Sequence, residues 1–412
     1  MATTLFPFKA NLDVTAPPSK SYAHRLMIAA ALGEGEVEIL NVGLSDDVKA
    51  TAECLKNLGA DVSFEGENVK IKGIFGEKKG TKSAVLDCGE SGSTLRFLFP
   101  IASALGIDAE FTGRGNLLNR PNTVLTEALK KHGVKVDGFS VSGKLESGVY
   151  EIDATVSSQY ITGLLFALPL LNGDSKIILS GELVSSDYID ITLEILKLAG
   201  IRVDISSGEF TVYGGQHYRL PSKVTCEGDW SGAAFLFVLG AISGAASVSG
   251  LKLDSKQGDK RILDFLALSG AEIEISTDKI TVKKSELKGF NAYLENCPDL
   301  APIVCVLAAA AKGKSEITGL KRLRIKESDR LSAIADMLGA AGIRCEATGD
   351  AITIYGGEVS GADFNGYKDH RIVMAATVLS SIANGKSTVT DENAVNKSYT
   401  NFFRDIKGEK NA

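Results

Sequence analysis

Cys54-Leu55-Lys56-Asn57-Leu58-Gly59-Ala60-Asp61-Val62 joins the end of one helix to the start of a strand, and the same join recurs along the chain. It returns as ALKKHGVKV, ILKLAGIRV, FLALSGAEI and MLGAAGIRC, with its glycine at Gly59, Gly133, Gly200, Gly270 and Gly342, at intervals of roughly 70 residues. Glycine directly after a helix favours left-handed closure. Alternating stretches follow, such as Val69-Lys70-Ile71-Lys72 and Ile352-Thr353-Ile354-Tyr355, and these predict strands. Gly73 and Gly356-Gly357 then turn the chain.

A second helix keeps the same period. Its bodies read RLMIAAAL, LRFLFPIASAL, ITGLLFALPLL, AAFLFVLGAI, APIVCVLAAAA and RIVMAATVLSSI, with starts near Ser19, Gly92, Ser157, Asp229, Asp299 and Asp369. Apolar nearly all round, they must be buried on every side. The glycine-terminated helices are amphipathic instead, with Val48, Ala52, Leu55 and Leu58 set against Asp47, Lys49, Glu53 and Lys56. The expected fold is α/β: six units of one buried and one amphipathic helix with strands, three units to each of two domains, sheets packed around buried helices. The pattern alone does not place the boundary between the domains.

The 412 residues, 44% hydrophobic and 23% charged, suit a globular chain with a large core. A net charge of -6 argues against nucleic acid as a partner, because binding a phosphate backbone needs a basic surface. Six scattered cysteines without a CxxC pair read as reduced thiols of a cytoplasmic protein. No signal peptide is expected at MATTLFPFKANLDV. The charge-free span Ser231 to Leu251 is broken by glycines and serines, so it reads as a buried helix and a strand rather than a membrane span.

Polar residues collect where the helices begin. Pro17-Pro18 forces an extended approach, and Ser19 or Ser21 is expected to cap the run from Leu26, leaving Lys20 and Arg25 at a helix N-terminus suited to phosphate or carboxylate. Taken alone, the stretch reads first as an ordinary capped helix with two solvated cations. GESGSTLR sets Gly89, Gly92 and the hydroxyls of Ser91, Ser93 and Thr94 ahead of Arg96; it reads as a loop that approaches a ligand closely or as a plain turn. Arg114 and Arg120 follow, and Arg120-Pro121 should open an amphipathic helix. Ser157-Ser158-Gln159 and Ser185, Ser186 and Tyr188 offer uncharged donors. The second half adds Asp299, Lys326, Glu327, Asp329, Arg330, Asp369, His370, Arg371 and Lys397. As a set, eight cations (Lys20, Arg25, Arg96, Arg120, Lys326, Arg330, Arg371 and Lys397) suit a phosphate and a carboxylate. Asp299 and Glu327 among them suit proton transfer in both directions. No zinc spacing, Walker loop or Ser-His-Asp order occurs, so no metal, nucleotide or covalent nucleophile is called for. His370 alone among four histidines lies in a charged cluster, with a structural or a catalytic role.

SKSYAHR, GESGSTLR, Arg120-Pro121, VSSQYITGLL, YIDITL, PDLAPI, RIKESDRL and YKDHRIVM, in this order, resemble the EPSP synthase (3-phosphoshikimate 1-carboxyvinyltransferase) family of enolpyruvyl transferases. The resemblance implies an inside-out α/β barrel of two domains, each of three βαβαββ units with helices inside. Residues 1–18 with 228–412 would form one domain and 19–227 the other, with the active site in the cleft between them. It also implies transfer of the enolpyruvyl group of phosphoenolpyruvate to the 5-hydroxyl of shikimate 3-phosphate, without a cofactor, in a cytoplasmic monomer of the shikimate pathway. Residue by residue, Lys20, Ser21, Arg25, Ser157, Ser158, Gln159, Ser185, Tyr188, Asp299 and Lys326 would hold shikimate 3-phosphate. Lys20, Gly92, Arg120, Gln159, Arg330, Arg371 and Lys397 would hold phosphoenolpyruvate. Asp299 would serve as base, Glu327 as acid at the enol methylene, and Lys20 or Lys397 would protonate the departing phosphate; His370 completes the catalytic set.

Two positions depart from the family pattern: Arg322, where many relatives have Asn, and Glu90, an acid beside an anion site. Glycine at Gly92 implies sensitivity to glyphosate. The alternatives are transfer to UDP-N-acetylglucosamine, disfavoured because the loop Thr112 to Arg120 has no cysteine, and a non-catalytic anion-binding or nucleic-acid-end relative.

Overall fold

The computed structural model describes residues 2–75, 81–181 and 183–408. One unit shows how the repeat is built. Strand Ser83–Asp87 leads into the buried helix Gly92–Leu105, strand Asp108–Thr112, the amphipathic helix Thr123–Lys130, and the hairpin Val134–Asp137 with Ser140–Gly143. The first two strands pair in parallel, because a helix crosses over between them; the hairpin adds antiparallel strands. Gly133 ends its helix at φ 85°, in the left-handed region that glycine adopts without cost. Gly59, Gly200, Gly270 and Gly342 also have positive φ. The same strand order recurs in 149–212 and 291–356.

Two units borrow their first strand. Asn11–Thr15 pairs in parallel with Ala245–Ser249, and Lys223–Thr225 with Glu36–Leu40. The chain divides into two compact bodies, an inserted one of Pro18–Cys226 and a flanking one made of the residues through Pro17 and from Glu227 on. Each division falls one residue ahead of the expected boundary. Each body has its own apolar core. In the flanking body, the helices Trp230–Ser243, Ala301–Ala310 and His370–Ser380 pack on one another, and every residue of the first is buried. In the inserted body, Gly92–Leu105 and Ser158–Ala167 pack closely enough that a side chain at Gly163 would strike the Arg96 carbonyl.

Three expectations need correction. The sixth unit has no long amphipathic helix among the described residues: after Ser387–Thr390 come the 3-10 turns of Glu392–Lys397 and the short helix Phe402–Asp405, and Ala2–Leu5 completes a three-stranded sheet with Ser387–Thr390 and Asp363–Phe364. The helix expected at Arg120-Pro121 starts at Thr123, because the carbonyls of Arg120 and Pro121 are committed to side chains. Ser19 stands at the N-cap of Lys20–Ala31, yet neither it nor Ser21 caps: the Ser19 hydroxyl is buried without a partner. The charge-free span resolves into a helix ending at Ser243 and the strand Ala245–Ser249. Among the described residues, no helix is long and apolar enough to cross a membrane.

Candidate active site

In the inserted body, four helix starts carry the predicted polar residues. Lys20 opens Lys20–Ala31 and its Nζ lies 2.9 Å from Oδ2 of the buried Asp47. One turn on, Arg25 is only 2% exposed. Its Nε donates to Thr192 Oγ1 (2.9 Å), Nη1 to the Ser21 carbonyl (2.8 Å) and Nη2 to the Tyr188 carbonyl (2.9 Å). Arg25 therefore fixes the backbone at two predicted substrate contacts rather than turning its fork outward. Burial pushes its guanidinium down to about 10. Arg96 donates from Nη1 to Gln159 Oε1 (2.6 Å), and Gln159 Nε2 donates to Ser93 Oγ (3.0 Å), so the second and third buried helices are tied at their starts. Ser157 caps the third through the Gln159 N–H. Ser185 holds φ 54°, strained for a residue with a side chain, and its carbonyl accepts from the Tyr188 N–H. A Cβ at Gly92 would meet Arg120 Nη1 at 2.9 Å, so only glycine lets that guanidinium lie on the loop. Glu90 faces Gly115, where any Cβ would run into its carboxylate.

In the flanking body, one arginine gathers the acids. Arg330, 1% exposed, reaches Asp299 Oδ1, Glu327 Oε2 and Asp369 Oδ2, each at 2.7 Å. Asp369 is also the N-cap of His370–Ser380, accepting from the Arg371 N–H at 3.0 Å. Arg371 Nη2 lies 3.1 Å from Asp299 Oδ2, Lys326 Nζ 3.6 Å from Asp299 Oδ1, and Lys397 Nζ 3.5 Å from Glu327 Oε1. Burial disfavours charge on Asp299, but Arg371, Lys326 and Arg330 together outweigh it and hold the carboxyl well below its usual range. Burial pushes the Lys326 amine down to about 8; Asp299 opposes this, while Arg330 and Arg322 add to it. The arrangement suits anion binding at the cations and proton transfer at Asp299 and Glu327.

A sequence model described as EPSP synthase (3-phosphoshikimate 1-carboxyvinyltransferase) matches residues 8–406. The chain belongs to the EPSP synthase family. The 3-phosphoshikimate 1-carboxyvinyltransferase of Clostridium kluyveri is 41% identical over 97% of this chain and 95% of that one. Its counterpart in Clostridium novyi is 37% identical over 98% and 96%. A solved EPSP synthase of Acinetobacter baumannii superposes with TM-score 0.82 at 25% identity, covering 98% of this chain and 97% of that one. The enolpyruvyl transferase NikO of Streptomyces tendae shares the fold at 16% identity and TM-score 0.79, over 98% and 96%.

Within the EPSP synthase frame, Lys20, Ser21, Arg25, Gly92, Arg120, Ser157, Ser158, Gln159, Ser185 and Tyr188 lie in the inserted body, and Asp299, Lys326, Glu327, Arg330, Arg371 and Lys397 in the flanking one. His370 is 1% exposed, with Nδ1 3.7 Å from Asp369 Oδ1, beyond hydrogen-bond reach. Sequence reasoning missed Asp47, the partner of Lys20, although its place opposite the apolar stripe of its helix was visible. It also missed Asp259, a buried acid that burial raises to about 7, with Arg371 opposing and Asp299 adding. Arg322, where many relatives have Asn, donates from Nη2 to the Glu295 carbonyl at 2.5 Å.

Proposed function

We propose that the chain transfers the enolpyruvyl group of phosphoenolpyruvate to the 5-hydroxyl of shikimate 3-phosphate, releasing inorganic phosphate, with one chain as the acting unit. The observation that carries this reading is Asp299 held ionised among Arg371, Lys326 and Arg330, with Glu327 between Arg330 and Lys397. Asp299 accepts the 5-hydroxyl proton as that oxygen bonds to C2 of phosphoenolpyruvate, and Glu327 delivers a proton to the C3 methylene. The positive charge that grows at C2 on protonation is stabilised by the adjacent carboxylates. A tetrahedral intermediate results. The Glu327 carboxylate takes back a C3 proton as the C2–O bond to phosphate breaks, which completes the transfer, with Lys20 or Lys397 protonating the leaving phosphate.

Lys20, Ser21, Arg25, Ser157, Ser158, Gln159, Ser185, Tyr188, Asp299 and Lys326 serve shikimate 3-phosphate. Lys20, Gly92, Arg120, Gln159, Arg330, Arg371 and Lys397 serve phosphoenolpyruvate. Arg25 and Arg330 act through what they orient, since both are enclosed by protein acceptors. Anions that draw Arg371 and Lys326 to themselves raise the proton affinity of Asp299, so binding itself turns a weak base into a competent one. The deciding experiment is phosphate release from phosphoenolpyruvate with shikimate 3-phosphate. Release with UDP-N-acetylglucosamine alone would move the chain to the sibling reaction, and sedimentation of the active species tests the single-chain unit.

A further inference from the structure

Two rungs join the helix Lys20–Ala31 to the helix Asp46–Asn57, one helical turn apart on each. Lys20 meets Asp47 at 2.9 Å, and four residues on His24 Nδ1 meets Thr51 Oγ1 at 2.7 Å. The second rung continues: Thr51 Oγ1 lies 2.6 Å from Thr94 Oγ1, and Thr94 O–H donates to Ser91 Oγ at 2.7 Å. Ser91 is the N-cap of Gly92–Leu105 and also accepts the Thr94 N–H at 3.2 Å. All four side chains are buried; His24, Thr51, Thr94 and Ser91 are each 0% exposed.

Counting protons fixes the direction of this chain. Each hydroxyl has one hydrogen. That of Thr94 goes to Ser91, so Thr51 must donate to Thr94, and His24 must donate from Nδ1 to Thr51. His24 is then the Nδ1–H tautomer, and its Nε2 is left as a buried atom without a partner. Protonating it is disfavoured by burial, with Lys20 and Arg25 adding and Asp47 opposing, which pushes the imidazole down to about 3.

We infer that His24 is a positioning residue: its Nδ1–H starts a one-way hydroxyl chain that sets the Gly-rich turn at Ser91-Gly92 in register with the Lys20 ammonium. A leucine or phenylalanine would fill the same core more readily than a neutral imidazole with a bare nitrogen, so the donor is what the position supplies. The inference rests on the reading above that Lys20 and Gly92 serve phosphoenolpyruvate.

The test is steady-state kinetics on His24→Leu, His24→Asn, Thr51→Val and the double variant His24→Leu/Thr51→Val, with melting temperatures alongside and Arg120→Ala as a reference. The expected result is a rise of about tenfold in KM for phosphoenolpyruvate in His24→Leu and in Thr51→Val, with KM for shikimate 3-phosphate within about twofold. The double variant should be no worse than the weaker single, as expected for one linked chain. His24→Asn, whose amide can donate in place of Nδ1–H, should return KM to within about threefold of the parent. Thr51→Val keeps the shape of the side chain, so it decides the matter should His24→Leu fail to fold. An Asn variant as impaired as Leu, or effects that multiply in the double variant, would overturn the inference. Imidazole 15N resonances read the tautomer directly, with Nδ1 protonated and Nε2 bare from about pH 5 to about pH 8 expected. Should Arg120→Ala leave KM for phosphoenolpyruvate unchanged, it is the placement of that substrate that fails; the hydroxyl chain then stands or falls on the resonances, and an Nε2-protonated or cationic His24 refutes it.

Discussion

Arg25 and Arg330 are equally hidden from water and differently surrounded. Arg25 is met by carbonyls and hydroxyls, and among the described residues no carboxylate pairs with it. Arg330 is met by three carboxylates. The contrast extends to their neighbourhoods: in the inserted body Asp47 faces Lys20 and Arg96 donates to the side-chain oxygens of Asn122 and Gln159, whereas in the flanking body cations and acids interleave. A cation left uncompensated by the protein keeps its field for a ligand anion. A compensated cluster spends its charge internally, fixing where carboxylates sit and when they hold protons. The two acids proposed to move protons, Asp299 and Glu327, both lie in the flanking body, among cations proposed to bind substrate.

The largest test of this contrast is stability. Arg330→Met strands three buried or partly buried carboxylates and should cost about 3–5 kcal/mol in urea unfolding. Arg25→Met removes hydrogen bonds to neutral acceptors and should cost about 1–3 kcal/mol. Equal losses would break the comparison. Next comes chemistry: Glu327→Gln keeps the shape and should lower kcat by about 100-fold to 10,000-fold with little change in binding. Asp299→Ala should bind both substrates yet lose turnover, and full turnover there would sink the mechanism.

Substrate by substrate, Lys20→Ala should raise both KM values by about tenfold, while Arg25→Ala should raise chiefly that of shikimate 3-phosphate. Gly92→Ala must displace Arg120, so resistance to glyphosate should appear together with a rise of about threefold to tenfold in KM for phosphoenolpyruvate. No gain in resistance would count against this placement of the loop.

The smallest effect is on pH. Lys326 titrates near 8 because burial lowers it, so kcat/KM for shikimate 3-phosphate should fall as pH rises through about 8, and Lys326→Arg should flatten that limb. Stability runs the other way. Between about 8 and the ordinary lysine value the unfolded chain holds the extra proton, so this group's contribution rises with pH.

The recurring glycine and the apolar helix bodies made the repeat legible, because helix closure and all-round burial are local properties written in consecutive residues. The sixth unit was legible only by its buried helix. Its sheet is completed by Ala2–Leu5, from the far end of the chain, and no local pattern announces such a pairing. The candidate site divides in the same way. Helix starts pointed to Lys20, Gly92, Ser157 and Asp369, but the pairing of Arg330 with Asp369 and of His24 with Thr51 joins residues of different helices. Asp259 carried no motif, and burial alone sets it apart.

The borrowed strands have a consequence for how the protein is made. Synthesis delivers Ala2–Leu5 and Asn11–Thr15 early, yet their partners Ser387–Thr390 and Ala245–Ser249 emerge only after the whole inserted body. That body closes its own first sheet with Lys223–Thr225 and can fold on the ribosome as soon as Cys226 is clear. The nascent chain therefore carries a finished inserted body behind an unpaired leading segment, whose open strand edges must be kept from other chains until the rest of the flanking body arrives.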